Sequence, residues 1–314
     1  MADLETTNSL FTQEQLTQML GETAQTPYTG MARSLFTVDT SVQPWAESYQ
    51  TAIRTSPGLE AEIINYNSIL PNVMRFCKKT VTCPVVALGD AVIYTVQDVA
   101  NAQAFGNSLD RLALTAIQEG IYRKEDRQTF RGDSASGVYG IANHPQIAQV
   151  SIPATGNSNG YTAASTWLGK SIDQILRELG EILRLQNEVS EAVGAPMVDT
   201  MVLPATVMTY LQTTFTSPTT PNTTMFEVLT RTLPQLQFAS TPLMNSLPLS
   251  SLNGASSSAA LLYNRTSAIS VVIPRDVTLE PTQAIDLKLS TPAHSRFGGV
   301  RVLNPEAVLL LIGI

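Results

Sequence analysis

Any chemistry in this chain must come from a short stock of residues. Its 314 residues include two histidines and two cysteines. His144 precedes Pro145 in a stretch rich in Gly, Ser and Asn, RGDSASGVYGIANHP (131–145), and His294 lies in TPAHSRFGG. A general base needs a partner that positions it. Neither context supplies one, so both are read as structural or surface histidines. Cys77 and Cys83 lack the C-x-x-C spacing, and with two histidines they make no ready zinc set. In an extended segment they stand about 20 Å apart, whereas a disulfide needs Cα atoms within about 7 Å.

The acids receive the same test. Glu178, Glu181, Glu188 and Glu191 are interleaved with Arg177 and Arg184. Their spacing of three and four reads as a solvated helix face laced with ion pairs, not as paired catalytic carboxylates. No G-x-G-x-x-G, phosphate-binding G-x-x-x-x-G-K-[ST], H-E-x-x-H or G-x-S-x-G occurs. Arg131-Gly132-Asp133 matches an adhesion tripeptide by chance. No enzyme, cofactor or metal is expected. RFCKK (75–79) is a local basic cluster with two open readings: a strand whose charges face solvent, or one whose charges meet acids on a neighbouring copy. Trp45 and Trp167 are placed in loops, as core or interface anchors rather than ligand stackers.

Composition points the same way. Apolar residues make up 43% of the chain, enough for a substantial core, and charged residues only 14%, against about 25% in an ordinary soluble domain. A surface this poor in charge suits a protein that buries it against copies of itself. The net charge of −7 argues against a nucleic-acid reader. The start, MADLETTNSLFTQEQ, has no basic opening and no apolar run, so no signal peptide is expected. No stretch has the length of a membrane span, and the cysteine usage reads as cytosolic.

These residues must be held by mixed elements. Residues 1–45 read as an arm with a short helical pattern around 12–20, and the arm needs another surface to pack on. Residues 46–96 are β-branched or alternating, with turns at Pro57-Gly58 and Pro71-Asn72. They read as a projecting hairpin. The clearest helix covers 98–126, with Thr95 and Asp98 at capping-box spacing and apolar residues every three or four positions. At 1.5 Å per residue it is a strut about 40 Å long. Loop-rich sequence follows over 131–165, with Gly132, Gly137 and Gly140 free to adopt angles closed to other residues. A second helix covers 171–193 and stops at Gly194. DTMVLP (199–204) reads as a strand with Pro204 opening a helix through Leu211, and TTMFEVLTRTL as a helix capped by Thr224. Strands fill 259–312: ALLYN, SVVIP, AIDLKLS, GVRVL and AVLLLI. In AIDLKLS the alternation puts Ile285, Leu287 and Leu289 on one strand face. The class is α+β.

The order of these features, with particular stretches, resembles the major capsid proteins of tailed phages, the Hong Kong 97-type fold. ARSLFTVDTSVQPWAESY (32–49) is similar to the family's arm-to-hairpin passage, and VVALGDAVIYTVQDVANAQAFGNSLD (85–110) to the approach to its long spine helix. FRGDSASGVYGIANHP (130–145) resembles its glycine-rich loop. DTMVLPATVMTYL (199–211) and RFGGVRVLNPEAVLLLIGI (296–314) resemble its later strands and C-terminus. The resemblance implies an N-terminal arm (1–48), an extended β loop (49–84) lying across a neighbour, and a peripheral domain (85–149) with the spine helix at 98–126. It further implies a mostly axial domain (150–265) and C-terminal strands (266–314). Trp45, Arg54, Arg75, Phe76, Lys78 and Lys79 become the candidate subunit-interface residues.

The implied function is an icosahedral shell of hexamers and pentamers enclosing a double-stranded DNA genome, contacted non-specifically. An acidic shell holds DNA weakly, which suits a container that must eject it. Portal, scaffold and decoration proteins are implied partners, with no membrane; the place is the virion, assembled in the host cytoplasm. The alternative of the same fold is an encapsulin, a bacterial compartment shell around a cargo enzyme. An enzyme with a non-obvious site is the third reading and has no motif behind it.

Overall fold

The computed structural model describes residues 28, 30–55, 77–95, 97, 109–152, 166–216, 223–249 and 256–314. In chain order the helices are α1 (Met31–Leu35), α2 (Leu109–Arg131), α3 (Ile172–Val193), α4 (Ala205–Thr213) and α5 (Met225–Thr232). The first strands are β1 (Thr37–Asp39), β2 (Ser48–Thr55), β3 (Cys77–Pro84), β4 (Val86–Thr95), β5 (Ala148–Ser151), β6 (Thr200–Pro204) and β7 (Gln237–Thr241). The short pair β8 (Leu247–Pro248) and β9 (Ser256–Ser257) follows. The rest are β10 (Ala259–Tyr263), β11 (Ile269–Val272), β12 (Arg275–Leu279), β13 (Gln283–Ile285), β14 (Lys288–Phe297), β15 (Val300–Val302) and β16 (Val308–Ile312).

A five-stranded sheet, β5-β16-β10-β6-β7, divides the core. Its three central strands, β16, β10 and β6, are buried at every position because both faces are covered, and the period of two sorts their side chains. Met201, Leu203, Ala260, Leu262, Leu309 and Leu311 pack with helices α3, α4 and α5. Val202, Leu261, Tyr263, Val308 and Leu310 pack on the other side with Phe36, Ile117, Ile121 and Phe130. Fully burying each large side chain contributes roughly 1.5–3 kcal/mol, so this sheet is the joint between the two halves of the chain.

Helix α3 forms as its pattern requires. Ile172, Ile175, Leu179 and Leu183 are buried, the Ser171–Gln174 capping box closes its start, and Gly194 closes its end at φ 71°. Thr224 accepts the N–H of Glu227 and caps α5. Pro204 stands just before the first residue of α4, as its N-cap.

Four expectations need correction. The spine helix does not stop at 126 but runs on to Arg131. Phe130 is fully buried on its inner face, and the turn comes only at Gly132, at φ 71°. The assigned start of that helix lies outside the described residues. AIDLKLS is not one strand but a hairpin: β13 and β14 pair antiparallel across Asp286-Leu287. Asp286 adopts φ 53° there, a region its short polar side chain tolerates, and Leu287 is left 78% exposed at the tip. Part of the arm packs on its own chain: β1 adds parallel to β11, and Ala32 and Phe36 are buried. Nor is every acid of α3 on a solvated face, because Trp167, the core anchor expected of it, lies fully buried in a short 3-10 turn beside Glu178. Its indole N–H donates to Glu178 at 3.1 Å, and Lys170 pairs with the same carboxylate at 2.5 Å. Glu178 is therefore a core group, whereas Glu181 and Glu188 bracket Arg184 on the surface.

Candidate assembly site

Strands β2 and β3 form a sheet of their own, with eight pairs from Ser48↔Pro84 to Thr55↔Cys77. No third strand joins them among the described residues. A two-stranded ribbon is marginal alone in water, so its stability must come from what it touches. Its root is seated on the body. Tyr49 donates its hydroxyl to the Gly298 carbonyl at 3.0 Å, and Val85 N–H donates to the Glu47 carbonyl. Cys83, paired opposite Tyr49, is a free thiol that is 2% exposed. Burial raises the pKa of both the Tyr49 phenol and the Cys83 thiol above their usual ranges. Neither is suited to act as a nucleophile at neutral pH.

The interface candidates fall at different places. Trp45, just before the ribbon, is 78% exposed, a large apolar surface left to solvent by the single chain. Arg54 stands directly opposite Lys78 in the register, and Lys79 opposite Ile53. Arg75 and Phe76 lie outside the described residues.

The stretch 131–145 is a structural joint. Asp133 and Val138 bridge, and the Asp133 carboxylate accepts from Ala135 N–H and Ser136 Oγ. Gly132 and Gly137 have positive φ as the sequence suggests. Gly140 does not; it is glycine because the Gly132 backbone passes against it, where a Cβ would lie 2.8 Å from the Gly132 Cα. Asn143 Oδ1 accepts the Gly140 N–H at 2.7 Å. His144 is buried, accepts the Gln146 N–H on Nδ1 at 3.2 Å and meets the Tyr139 ring edge-on. Burial lowers its pKa to about 4, so it is neutral near pH 7. His294 faces Glu280 at 3.5 Å near the surface.

Sequence reasoning missed the tie between the N-terminal segment and the long helix. Asp126 accepts the N–H groups of Met31 and Ala32, both at 2.8 Å. Arg33 bridges Glu125 and Asp276, each at 2.9 Å, and stacks over Tyr122. Burial raises the Glu125 pKa, with Arg33 opposing it. The one signal in the sequence is that Glu125 and Asp126 interrupt a run of basic residues, Arg123 to Arg131. Among the described residues no His, Cys, Asp and Glu group is arranged to hold a metal, and no helix is long and apolar enough to cross a membrane.

A family model described as "Major capsid protein" matches residues 61–314. The fold is similar to the capsid of Myoviridae phage XM1, with a TM-score of 0.71 at 16% identity over 98% of this chain and 100% of that one. It is also similar to the structure from Mycobacterium phage Ogopogo, with TM-score 0.59 and 14% identity over 95% and 97% of the two chains. The virus-like particle from Pyrococcus furiosus gives 0.53 at 14% identity over 90% and 92%. No curated protein sequence matches the chain. The family match takes in the long helix, the divided core and the two-faced sheet, and the chain belongs to the major capsid protein family, with the Hong Kong 97-type fold.

Proposed function

We propose that this subunit builds the icosahedral shell of a tailed double-stranded DNA phage, as hexamers and pentamers, and works as a building block rather than as an enzyme. The observation that carries this reading is the β2–β3 ribbon, which is paired over eight residues on each strand yet is joined by no third strand among the described residues. Laid across a neighbouring subunit, it gains the partner surface it lacks. Rings of this kind are head-to-tail contacts that close by rotation. Exposed Trp45 supplies an apolar anchor at the ribbon's base, and the opposed Arg54 and Lys78 supply charges for acids on the next copy. Portal and scaffold proteins are the partners expected for such a shell, with a decoration protein as an optional addition and assembly in the host cytoplasm.

Deleting residues 49–84 tests the reading. The expected product is a soluble, folded subunit that forms no closed particles by electron microscopy and sedimentation. Closed shells at normal yield would overturn the role given to the ribbon. The encapsulin alternative draws its support from the likeness to the Pyrococcus furiosus virus-like particle. Neighbouring genes separate the two: portal and terminase genes favour the phage, and a cargo enzyme with a docking tail favours the compartment.

A further inference from the structure

The chain is acidic, with 19 Lys and Arg against 26 Asp and Glu, yet four of those 19 fall within nine residues, Arg123, Lys124, Arg127 and Arg131. Helix geometry separates them from the intervening acids. At 3.6 residues per turn the four cations lie within a stripe about 100° wide, while Glu125 lies on the opposite side. The structure agrees: all four are exposed, whereas Glu125 and Asp126 are each 2% exposed. Those two acids are occupied by Arg33 and by the Met31 and Ala32 N–H groups.

Few countercharges face the stripe. Glu119 approaches Arg123 at 3.6 Å, and Asp133, beyond the helix end, feels Lys124. Arg123 also lies over the Tyr28 ring, and Arg131 donates to the Ser246 carbonyl. From Arg123 to Arg131 the stripe runs about 12 Å along the helix.

We propose that this stripe is the surface through which the subunit contacts packaged duplex DNA, by its phosphates and without reading sequence. The inference rests on the shell reading and deepens it: it places the exposed face of α2 toward the lumen. Charge complementarity favours DNA as the occupant. A duplex presents one negative charge per about 1.7 Å of its axis, so a 12 Å row of cations always finds phosphates in reach whatever its register. The stripe carries no aromatic or amide side chain to reach a base edge. Four cations on a net-acidic protein give weak, salt-sensitive contact, compatible with a genome that must leave.

The test compares unassembled subunits or capsomers with a fluorescent mixed-sequence 30-base-pair duplex over a range of salt. The variant is Lys124→Gln/Arg127→Gln/Arg131→Gln. The charge-matched control is Arg177→Gln/Arg231→Gln/Lys288→Gln, three exposed cations elsewhere. The stripe variant should lose binding, with the slope of log K against log salt shallower by about 2.7, and the control should bind like the unmodified chain. Intact shells should ignore duplex added outside, and particles opened with mild denaturant should bind it. Equal binding by stripe variant and control would overturn the proposal. So would binding by intact shells, and so would retention of polyglutamate in preference to duplex, which would mark an acidic protein as the occupant. Electron microscopy of both variants separates the two levels. Normal shells with unchanged DNA binding sink the stripe alone, whereas an unmodified chain that forms no shells under any co-expression sinks the shell reading.

Discussion

Asp126 Oδ1 accepts the backbone N–H of Ala32 at 2.8 Å, across 94 residues of sequence, while its Oδ2 accepts that of Met31. The long helix thus lends a carboxylate to cap a helix it does not belong to. Helix α1 has no side-chain cap of its own at Gly30, and its first N–H groups would otherwise go unpaired.

Asp126→Ala should therefore loosen the N-terminal segment before it loosens the core. Two N–H groups lose their acceptor, a cost of about 1–3 kcal/mol. Hydrogen exchange should quicken at 31–36 and change little in β10 and β16. Asp126→Asn, which keeps an acceptor, should cost less. Equal exchange at 31–36 in Ala variant and unmodified chain would show that the cap holds nothing.

His144 gives a pH prediction with a definite sign. Its folded pKa is about 4, against about 6.5 when unfolded. Between those values the unfolded chain binds more protons, so stability is fully present above about pH 6.5 and is lost as pH falls toward 4. The window is worth about 3 kcal/mol. Glu125 works the other way: its raised pKa makes the folded state favour the protonated form, so it eases acid exposure. His144→Asn keeps an acceptor for Gln146 and cannot titrate. Urea midpoints between pH 7 and pH 4 should fall less steeply in that variant, though from a lower start, because the ring contact with Tyr139 is gone. An unchanged slope would remove His144 as the acid-sensitive group.

Much of this architecture is legible from local pattern. Helix α3 shows its apolar stripe, its Ser171 start and its Gly194 stop, all read from neighbours within four residues. The central strands show unbroken apolar runs. What is not legible depends on distant partners. Trp167 and Lys170 look like loop residues until Glu178 is seen beneath them. AIDLKLS has the alternation of a strand, but the turn at Asp286 folds β13 back to pair with β14, whose other edge is taken by β4. Of the interface candidates, the ribbon's register places Arg54 opposite Lys78, a pairing no linear reading reveals. The basic stripe escapes a linear reading because Glu125 and Asp126 dilute it; only the helix separates the charges.

Gly140→Ala should be among the most damaging single changes. A Cβ there would sit 2.5 Å from the Gln128 carbonyl oxygen and 2.8 Å from the Gly132 Cα. Both are backbone atoms at the end of the long helix, where Gly132 N–H donates to that same carbonyl. Relief requires moving the helix end or the loop, and the expected loss is about 3 kcal/mol or more. Gly180→Ala is the control, since nothing lies within 4 Å of its added Cβ; in the middle of α3 it should stabilise by roughly 0.5–1 kcal/mol. Thermal melts of the two variants moving in the same direction would refute the account.

Lys170 and Glu178 form a pair whose side chains are 1% and 11% exposed. Lys170→Met should cost about 3–5 kcal/mol, because it leaves a buried carboxylate short of its cation. Lys170→Met/Glu178→Leu removes both charges and should recover much of that loss, short of the bond from the Trp167 indole. A double variant no more stable than Lys170→Met would mean that the lysine acts through its packing and not its charge.

Tyr49 and Gly298 fix the angle at which the ribbon leaves the body. The phenol reaches the Gly298 carbonyl, and a Cβ on Gly298 would press on Tyr49 Cε1 at 2.9 Å and on Val272 Cγ1 at 3.0 Å. Gly298→Ala should thus tilt the ring, and with it the ribbon root, at a small cost to the subunit itself. Because the ribbon's far end lies many residues from this contact, a small tilt at the root becomes a displacement at the neighbour. Particle size should broaden or closure fail while the melting temperature shifts little. Tyr49→Phe keeps the ring and loses one hydrogen bond, about 1 kcal/mol, and should still close shells. Tyr49→Ala/Gly298→Ala relieves the clash but leaves the root unseated, so it should not restore uniform particles. Uniform particles from that double variant would show that the ring sets no angle and that the ribbon is aimed by its partner alone.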